Sequence, residues 1–210
     1  MTSEQARKVT PGLASRRSAT VSASGESLPR YEFSPHNCFA CGTLNTHGLG
    51  LVLHVEQGHS WTELTLERAF EGWEGIAHGG ILCTILDEVM AWALVGADNW
   101  GVTARMSVEF RRPVPIGRRI RADGSVSTLR RRVVATTARL VDSETGELLA
   151  TATGTYVAAS GERKRALQER YGFRITGADT SGRSDPPESG DIDSGVTAEA
   201  AALGRAGARA

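Results

Sequence analysis

The sequence predicts an α+β domain in which one long central helix is wrapped by a curved antiparallel β-sheet. The first observation is the stretch from Gly75 to Leu94, which places apolar residues at helical spacings over more than half of its circumference. A helix that is apolar on most sides is buried rather than laid on a surface. The second observation is that β-type segments flank it and are joined mostly by hairpin-length links, which favours antiparallel pairing. A curved sheet is needed to cover so much apolar helix surface.

The strands are predicted before and after this helix. Six segments have the residue types or the alternation of strands: 50–56, 60–67, 102–110, 119–129, 132–141 and 148–158. The first two are joined around Gln57 and Gly58, as expected of a hairpin. Pro113 and Pro115 stop or bend the strand that follows the helix, because proline cannot donate to a central ladder.

Residues 35–159 are expected to form the folded domain, which is close to the usual size of a single domain. Residues 1–34 are rich in Ser, Thr, Ala, Arg and Gly without an apolar period and are expected to be disordered. Their Arg and Ser content also resembles a transit peptide, although the whole chain shares this composition. A short polar helix is expected at 160–175, followed by a disordered tail at 176–210.

The composition excludes several classes of partner. The chain has 24 basic and 24 acidic residues, so its net charge provides no electrostatic attraction for nucleic acid or for a membrane surface. It also lacks aromatic residues interleaved with basic ones, on which nucleic-acid bases could stack. No apolar run reaches the roughly 20 residues of a membrane span, and Asp87 and Glu88 argue against insertion of the helix. Three cysteines do not make a disulfide framework and fit a reducing compartment, so a cytoplasmic location is expected.

The helix carries two features that suggest catalysis. Asp87 and Glu88 lie near its middle, where burying a carboxylate is costly unless it is paired or used. The sequence His78-Gly79-Gly80 begins the helix with backbone N–H groups that have no acceptor inside it. Two structural alternatives stay open. Asp87 could pair with Arg105 or another cation, and Glu88 could be a structural or solvent-reaching acid.

These residues and their neighbours resemble the hotdog-fold acyl-CoA thioesterases. The resemblance rests on His78-Gly79-Gly80, on Asp87 nine positions after the histidine, and on the strand at residues 102–113 (VTARMSVEFRRP). Residues 37–42 (NCFACG) and 48–51 (GLGL) look like the segment that opens many members of the PaaI-like and mammalian thioesterase-superfamily-member branches. The resemblance implies hydrolysis of an acyl-CoA, assembly as a homodimer or homotetramer, and no metal or other cofactor.

The resemblance also implies a role for each matching residue. Asp87 would activate water as general base or attack the thioester directly, and both routes stay open. The Gly79 N–H would stabilise the oxyanion and Gly80 would allow substrate to approach closely. Thr103 would help to hold the attacking water, and His78 would position the helix start. Structural alternatives also stay open. Thr103 could be an ordinary strand threonine, and His78 could be a helix-cap or core histidine. Gly79 and Gly80 could serve only to permit close packing of the helix.

The spacing on the helix predicts a site shared between subunits. Gly79 and Asp87 are eight residues apart, which is about 12 Å along an α-helix. Donors and acid of one helix therefore cannot act on the same atom. If both are catalytic, a two-fold dimer must combine the helix start of one subunit with Asp87 of the other.

One position departs from the family pattern, and two arginines suggest how the substrate is held. Relatives often carry Asn or Gln six residues before the histidine, where this chain has Gly72. Either Glu71 takes a different substrate-binding role or the second contact is missing. Arg111 and Arg112 are candidates for the phosphates of coenzyme A, since guanidinium groups suit phosphate. Arginine runs are also common on solvated strand edges.

Cys38 and Cys41 form a C-x-x-C pair, which can be half of a zinc site or a redox pair. A structural metal site needs two more ligands at a suitable spacing, and the sequence has no second C-x-x-C. The pair also does not begin a helix that would lower a thiol pKa. We therefore expect these thiols to pack beside Phe39 without a metal.

The sequence as a whole predicts an acyl-CoA thioesterase. One alternative is an acyl-CoA-binding hotdog protein that has lost turnover, which Gly72 makes conceivable. A second is another hotdog enzyme such as a hydratase, against which the His-Gly-Gly to Asp87 spacing argues.

Overall fold

The computed structural model describes residues 30–176 of the 210-residue chain, and these residues belong to one compact unit. Its elements, in chain order, are β1 (Arg30–Glu32), β2 (His54–Glu56), β3 (His59–Thr65), a 3-10 turn (Arg68–Phe70), β4 (Glu71–Trp73), β5 (Ile76–Ala77), α1 (Gly79–Gly96), β6 (Gly101–Phe110), β7 (Arg119–Arg130), β8 (Val133–Asp142), β9 (Leu148–Ala158), α2 (Gly161–Arg170) and β10 (Arg174–Thr176).

Six of the strands form one antiparallel sheet in the order β2-β3-β7-β8-β9-β6. The predicted fold, a helix wrapped by a curved antiparallel sheet, is confirmed. Strand β2, which was predicted to span residues 50–56, is shorter than expected because it begins at His54. Gly50 has a φ of +59°, which interrupts extended backbone. At the other edge of the sheet, β6 pairs only with β9, so its outer side has no strand partner among residues 30–176.

Helix α1 packs its apolar side directly onto the sheet. Its buried residues are Leu82, Ile85, Leu86, Val89, Met90, Ala93 and Leu94. At Gly124 of β7 a Cβ would lie 2.4 Å from the carbonyl oxygen of Val89, so only glycine permits this approach. By length and mean hydropathy of 1.5 alone α1 could cross a membrane, but these side chains belong to the core of the fold.

The opposite side of α1 is only half-buried, which differs from the expectation of a helix buried all round. It carries Cys83, Thr84, Asp87, Glu88, Ala91 and Trp92. Both acids of the helix therefore remain partly accessible to solvent. The cost of burying two carboxylates is reduced accordingly.

The two ends of the described chain pair with each other over this region. Strand β1 pairs antiparallel with β10, and Phe33 lies with its ring centroid 5.1 Å from Phe173 and 4.8 Å from Trp92. Disorder was expected for residues 1–34, and the strand at Arg30–Glu32 is a difference from that expectation. The reason is non-local, since the partner strand is more than 140 residues away in the sequence. Residues 1–29 lie outside the described residues.

The predicted C-terminal helix is present but shorter than residues 160–175. Helix α2 ends at Arg170, and the Ser160 side chain caps its start by accepting from the Arg163 N–H at 3.5 Å. Arg174–Thr176 is strand β10. Beyond residue 176 the expected disordered tail lies outside the described residues and stays a prediction.

Candidate active site

The start of α1 presents one free backbone donor. His78 is the N-cap of the helix, and its Nδ1 accepts from the Gly80 N–H at 2.9 Å. This bond requires Nδ1 to be unprotonated, so the neutral ring carries its proton on Nε2. The N–H of Gly79 has no acceptor within residues 30–176. His78 therefore occupies one of the two glycine donors and leaves the other available.

A pocket of about 340 Å³ adjoins this free donor. It is lined by Ile76, Ala77, Gly79, Leu82, Phe110, Arg111, Arg112, Pro113 and Val114. Its walls are mostly apolar, which suits an acyl chain or another uncharged group. The predicted residues Gly79, Arg111 and Arg112 thus meet at one place. Both arginines are more than half exposed and ion-paired, Arg111 with Glu109 and Arg112 with Glu147 at 3.0 Å.

Asp87 is held by two hydroxyl groups. Its Oδ1 accepts from the Thr103 Oγ1 at 2.8 Å and from the Tyr156 hydroxyl at 2.7 Å. The same tyrosine hydroxyl lies 3.0 Å from the Asp87 backbone oxygen. No hydrogen bond reaches Oδ2 from the part of the chain that the structure describes. The structure thus pairs Asp87 with neutral donors rather than with Arg105, and one carboxylate oxygen is left for another molecule.

Tyr156 is a site residue that the sequence reasoning missed. It lies on β9, and its side chain is almost fully buried under α1. Burial, and then its hydrogen bond to Asp87, raise the pKa of the Tyr156 hydroxyl well above its usual value. The phenol therefore keeps its proton and acts as a donor to the carboxylate at any physiological pH. A buried tyrosine needs a partner for its hydroxyl, but only the tertiary structure identifies that partner.

At Gly72 the β4–β5 hairpin packs closely against the start of α1. A Cβ at position 72 would lie 3.0 Å from the Cα of His78 and 3.2 Å from its ring. Glycine lets the hairpin lie directly against the helix cap. Glu71 is engaged within the same hairpin, because its Oε1 accepts from the Gly75 N–H at 3.1 Å and pairs with Arg68 at 3.6 Å. Glu71 is not among the residues that line the pocket.

The free donor and the acid of one chain are well separated. Gly79 begins α1, and Asp87 lies eight residues later in the same helix, about 12 Å along the axis. Thr103, which contacts Asp87, and Phe110, which lies beside Gly79, are both on the edge strand β6, whose only strand partner among residues 30–176 is β9. The acid and the donor therefore lie along the same sheet edge, near opposite ends of β6.

Comparisons with known proteins agree with this architecture. Residues 74–149 match the sequence model of the thioesterase superfamily, which confirms the resemblance inferred from the sequence. A comparison with curated proteins gave no significant match. Among solved structures, a thioesterase superfamily protein is similar with a TM-score of 0.55 and 24% identity, covering 58% of this chain and 60% of that protein.

Two further structures share the fold. A Streptococcus mutans protein crystallised with acetyl-CoA has a TM-score of 0.50 and 19% identity, covering 52% of this chain and 89% of its own. The Escherichia coli PaaI protein of the phenylacetic acid degradation operon also has a TM-score of 0.50 and 19% identity, covering 52% and 83%. At these identities the likeness establishes the hotdog fold.

Proposed function

We propose that this protein hydrolyses an acyl-CoA thioester, with Asp87 as the general base or nucleophile. The observation that carries the proposal is the Asp87 carboxylate, which Thr103 and Tyr156 hold at one oxygen and which accepts no hydrogen bond at the other from residues 30–176. A carboxylate fixed in this way is preorganised to act on water or on a carbonyl carbon. The match to the thioesterase superfamily and the fold of a protein crystallised with acetyl-CoA support the choice of substrate class.

The chemistry requires a donor where negative charge develops on the thioester oxygen. The unsatisfied Gly79 N–H is suited to that role, and the positive end of the helix dipole adds to it. One such donor contributes about 2.7–4 kcal/mol to transition-state stabilisation. As general base, Asp87 takes a proton from the water that attacks the carbonyl carbon; the C–S bond breaks and that proton passes to the leaving thiolate. As nucleophile, Asp87 displaces the thiolate to form an acyl–aspartyl anhydride, which water then hydrolyses to free acid and the Asp87 carboxylate, the released proton going to the thiolate.

We further propose that two subunits share each site. Within the described part of the chain the outer edge of β6 has no strand partner, and Val102 and Phe110 on this strand are 69% and 52% exposed. An open edge with apolar residues favours pairing with a second copy of the chain. A two-fold pairing of β6 with β6 would extend the sheet and set the two α1 helices side by side. Gly79 of one subunit could then meet Asp87 of the other.

The pocket suggests how the rest of the substrate is held. Arg111 and Arg112 lie beside Gly79 and could bind phosphate groups of coenzyme A once they leave Glu109 and Glu147. Replacing either arginine with alanine should raise KM more than it lowers kcat, because the contact exists before and during the reaction.

The first experiment measures thiol release from a panel of acyl-CoAs. Asp87→Asn should abolish turnover, and full activity of this variant would remove Asp87 from its role.

Gly79→Pro deletes the proposed N–H donor, and proline is well tolerated at the first position of a helix. We expect a loss of about 10²–10³-fold in kcat for this variant. Gly79→Ala is its matched control, because it keeps the N–H and its Cβ would lie 3.4 Å from the Phe110 ring. Binding of acyl-CoA without any hydrolysis would favour the non-catalytic alternative.

The second experiment tests the shared site. Inactive Asp87→Asn and Gly79→Pro proteins are mixed under conditions that allow subunits to exchange. In a mixed dimer one site carries both defects and the other carries neither. Activity should therefore return to about a quarter of the wild-type value at equal amounts. If donor and acid belong to one subunit, the mixture stays inactive.

A further inference from the structure

A group of metal-binding side chains lies apart from the thioester chemistry, on the half-buried side of α1. The ligand atoms of Cys38, Cys41 and Glu88 all lie within 4.8 Å of one another. We call these three residues the thiol–carboxylate cluster. The imidazole of His36 adjoins it, with Nε2 3.5 Å from the Cys41 Sγ. All four residues are half-buried, and none has a role in the proposed hydrolysis.

The geometry suits a tetrahedral ion. Zinc binds thiolate sulfur at about 2.3 Å and imidazole nitrogen or carboxylate oxygen at about 2.0–2.2 Å. Neighbouring ligands of one tetrahedral zinc are then about 3.3–3.8 Å apart. The His36 to Cys41 separation falls inside this range. The ligand atoms of the cluster lie within 4.8 Å of one another, so on binding an ion they, together with His36, would draw closer by up to about 1 Å or more. Two cysteines, a histidine and a carboxylate are all common zinc ligands.

Two hydrogen bonds orient the ligands from outside. The Trp92 Nε1–H donates to the Glu88 Oε1 at 2.8 Å and fixes that carboxylate. The His36 Nδ1 lies 3.0 Å from the Ser34 backbone oxygen, which sets the tautomer that leaves Nε2 as the lone-pair donor facing Cys41. Metal-bound histidines and carboxylates are usually held by such outer contacts.

The backbone around the cysteines is folded as a tight turn. The Gly42 N–H donates to the Cys38 oxygen at 2.9 Å, and the Leu44 N–H donates to the His36 oxygen at 3.1 Å. A Cβ at Gly42 would lie 2.4–2.5 Å from backbone atoms of Cys38 and His36. Only glycine closes this turn, which brings the imidazole and both thiols to one side.

The charges of the cluster also favour a cation. No Lys or Arg forms an ion pair with Glu88 within residues 30–176. A divalent ion would supply the missing positive charge and displace the thiol protons.

We propose that the thiol–carboxylate cluster, with His36 as fourth ligand, binds one structural Zn²⁺. Four protein ligands leave no open position, which is typical of a structural rather than a catalytic zinc. Glu88 comes from α1 and the other ligands come from the turn at residues 36–42. The ion would therefore fasten this turn, and with it the β1 segment, onto the exposed side of the central helix.

The test uses the full chain, purified without added chelator and then titrated with Zn²⁺ against a chromophoric competitor. We expect about one Zn²⁺ per chain. Loss of an outer hydrogen-bond partner alone lowers metal affinity about 10–100-fold. Cys38→Ser and Cys41→Ser each remove a direct ligand, so each should weaken Zn²⁺ binding by at least that much. Cys83→Ser is the matched control, because it removes the third thiol of the chain without touching the cluster. Substitution with Co²⁺ should give a thiolate-to-metal charge-transfer band and the visible bands of a tetrahedral ion.

Several results would overturn the proposal. One is a wild-type protein that binds Zn²⁺ no more tightly than Cys38→Ser does. Another is a spectrum of the Co²⁺-substituted protein without a thiolate-to-metal charge-transfer band. A Cys38–Cys41 disulfide that, once reduced, still leaves the protein unable to bind Zn²⁺ would instead assign the pair to redox chemistry. Glu88→Gln covers the case in which a serine variant fails to fold. It keeps both thiols and the Trp92 contact, so weaker Zn²⁺ binding by a folded Glu88→Gln protein supports the site. Unchanged binding contradicts it.

Discussion

The hydroxyl of Tyr156 offers the sharpest test of how Asp87 is held. Tyr156→Phe removes the 2.7 Å bond to Oδ1 and the 3.0 Å contact with the backbone oxygen, leaving Thr103 as the remaining donor to the carboxylate. A hydrogen bond to a charged group contributes about 1.5–3 kcal/mol. If that contribution is realised in the transition state, kcat/KM should fall about 10- to 150-fold.

The split between kcat and KM separates this role from a purely structural one. Loss of a bond that positions the reacting carboxylate should lower kcat and leave KM close to its wild-type value. Initial rates of thiol release over a range of concentrations of the best substrate of the acyl-CoA panel give both constants.

The matched control is Tyr171→Phe, which removes a phenol hydroxyl from a tyrosine that packs beside Trp100 rather than on Asp87. It should leave kcat and KM unchanged. The reasoning is refuted if Tyr156→Phe keeps the wild-type kcat. A drop in melting temperature with a proportional loss of folded protein, but an unchanged kcat for the protein that stays folded, would make Tyr156 a structural residue only.

Three further predictions concern stability. The Arg118 hydrogen bond, followed by backbone donors of the adjacent turn, lowers the pKa of Asp142 to about 2 from 3.8. The ionised Asp142 therefore stabilises the folded state above about pH 4, and this contribution is lost as the pH falls towards 2. Because Asp142→Asn lacks the carboxylate, its denaturant midpoint should change less over that pH range than the wild-type midpoint does. Gly124→Ala sets a Cβ 2.4 Å from the Val89 oxygen and should lower the free energy of unfolding by about 3 kcal/mol or more in urea titrations. Ser60→Ala removes the hydroxyl that donates to the same oxygen and should cost only about 1 kcal/mol. A larger loss for Ser60→Ala than for Gly124→Ala would contradict the close helix–sheet contact.

Local pattern was sufficient for the elements that form the core. The apolar periodicity of α1 and the alternation of β6 depend on side chains within a few residues, so both appear in the sequence close to their observed bounds. The short strands were missed for the same reason. Strand β1 is stabilised by pairing with β10 at the other end of the domain, and nothing in its three residues indicates that partner.

The residues of the candidate site also divide into those that the local sequence reveals and those that it does not. Asp87 and Gly79 were found because an acid in an apolar helix and glycines at its start are anomalies of local sequence. Tyr156 was not found, since its hydroxyl meets Asp87 from a strand 69 residues later. The expectation that Cys38 and Cys41 hold no metal stays a prediction, but it considered only ligands at a suitable sequence spacing, and Glu88 approaches the two thiols from α1.

By itself the sequence determined which helix is central, which segments form the long strands around it, and which residues of the helix carry charge or open donors at a cost that calls for a function. Those properties follow from hydrophobic periodicity and from the free energy of placing charge and open donors in a helix. Only the tertiary structure decided which groups satisfy Asp87, which helix-start donor stays free, and what surrounds Glu88. Such contacts join residues far apart in the chain, and their identity depends on how the sheet folds over the helix rather than on any spacing that the sequence displays.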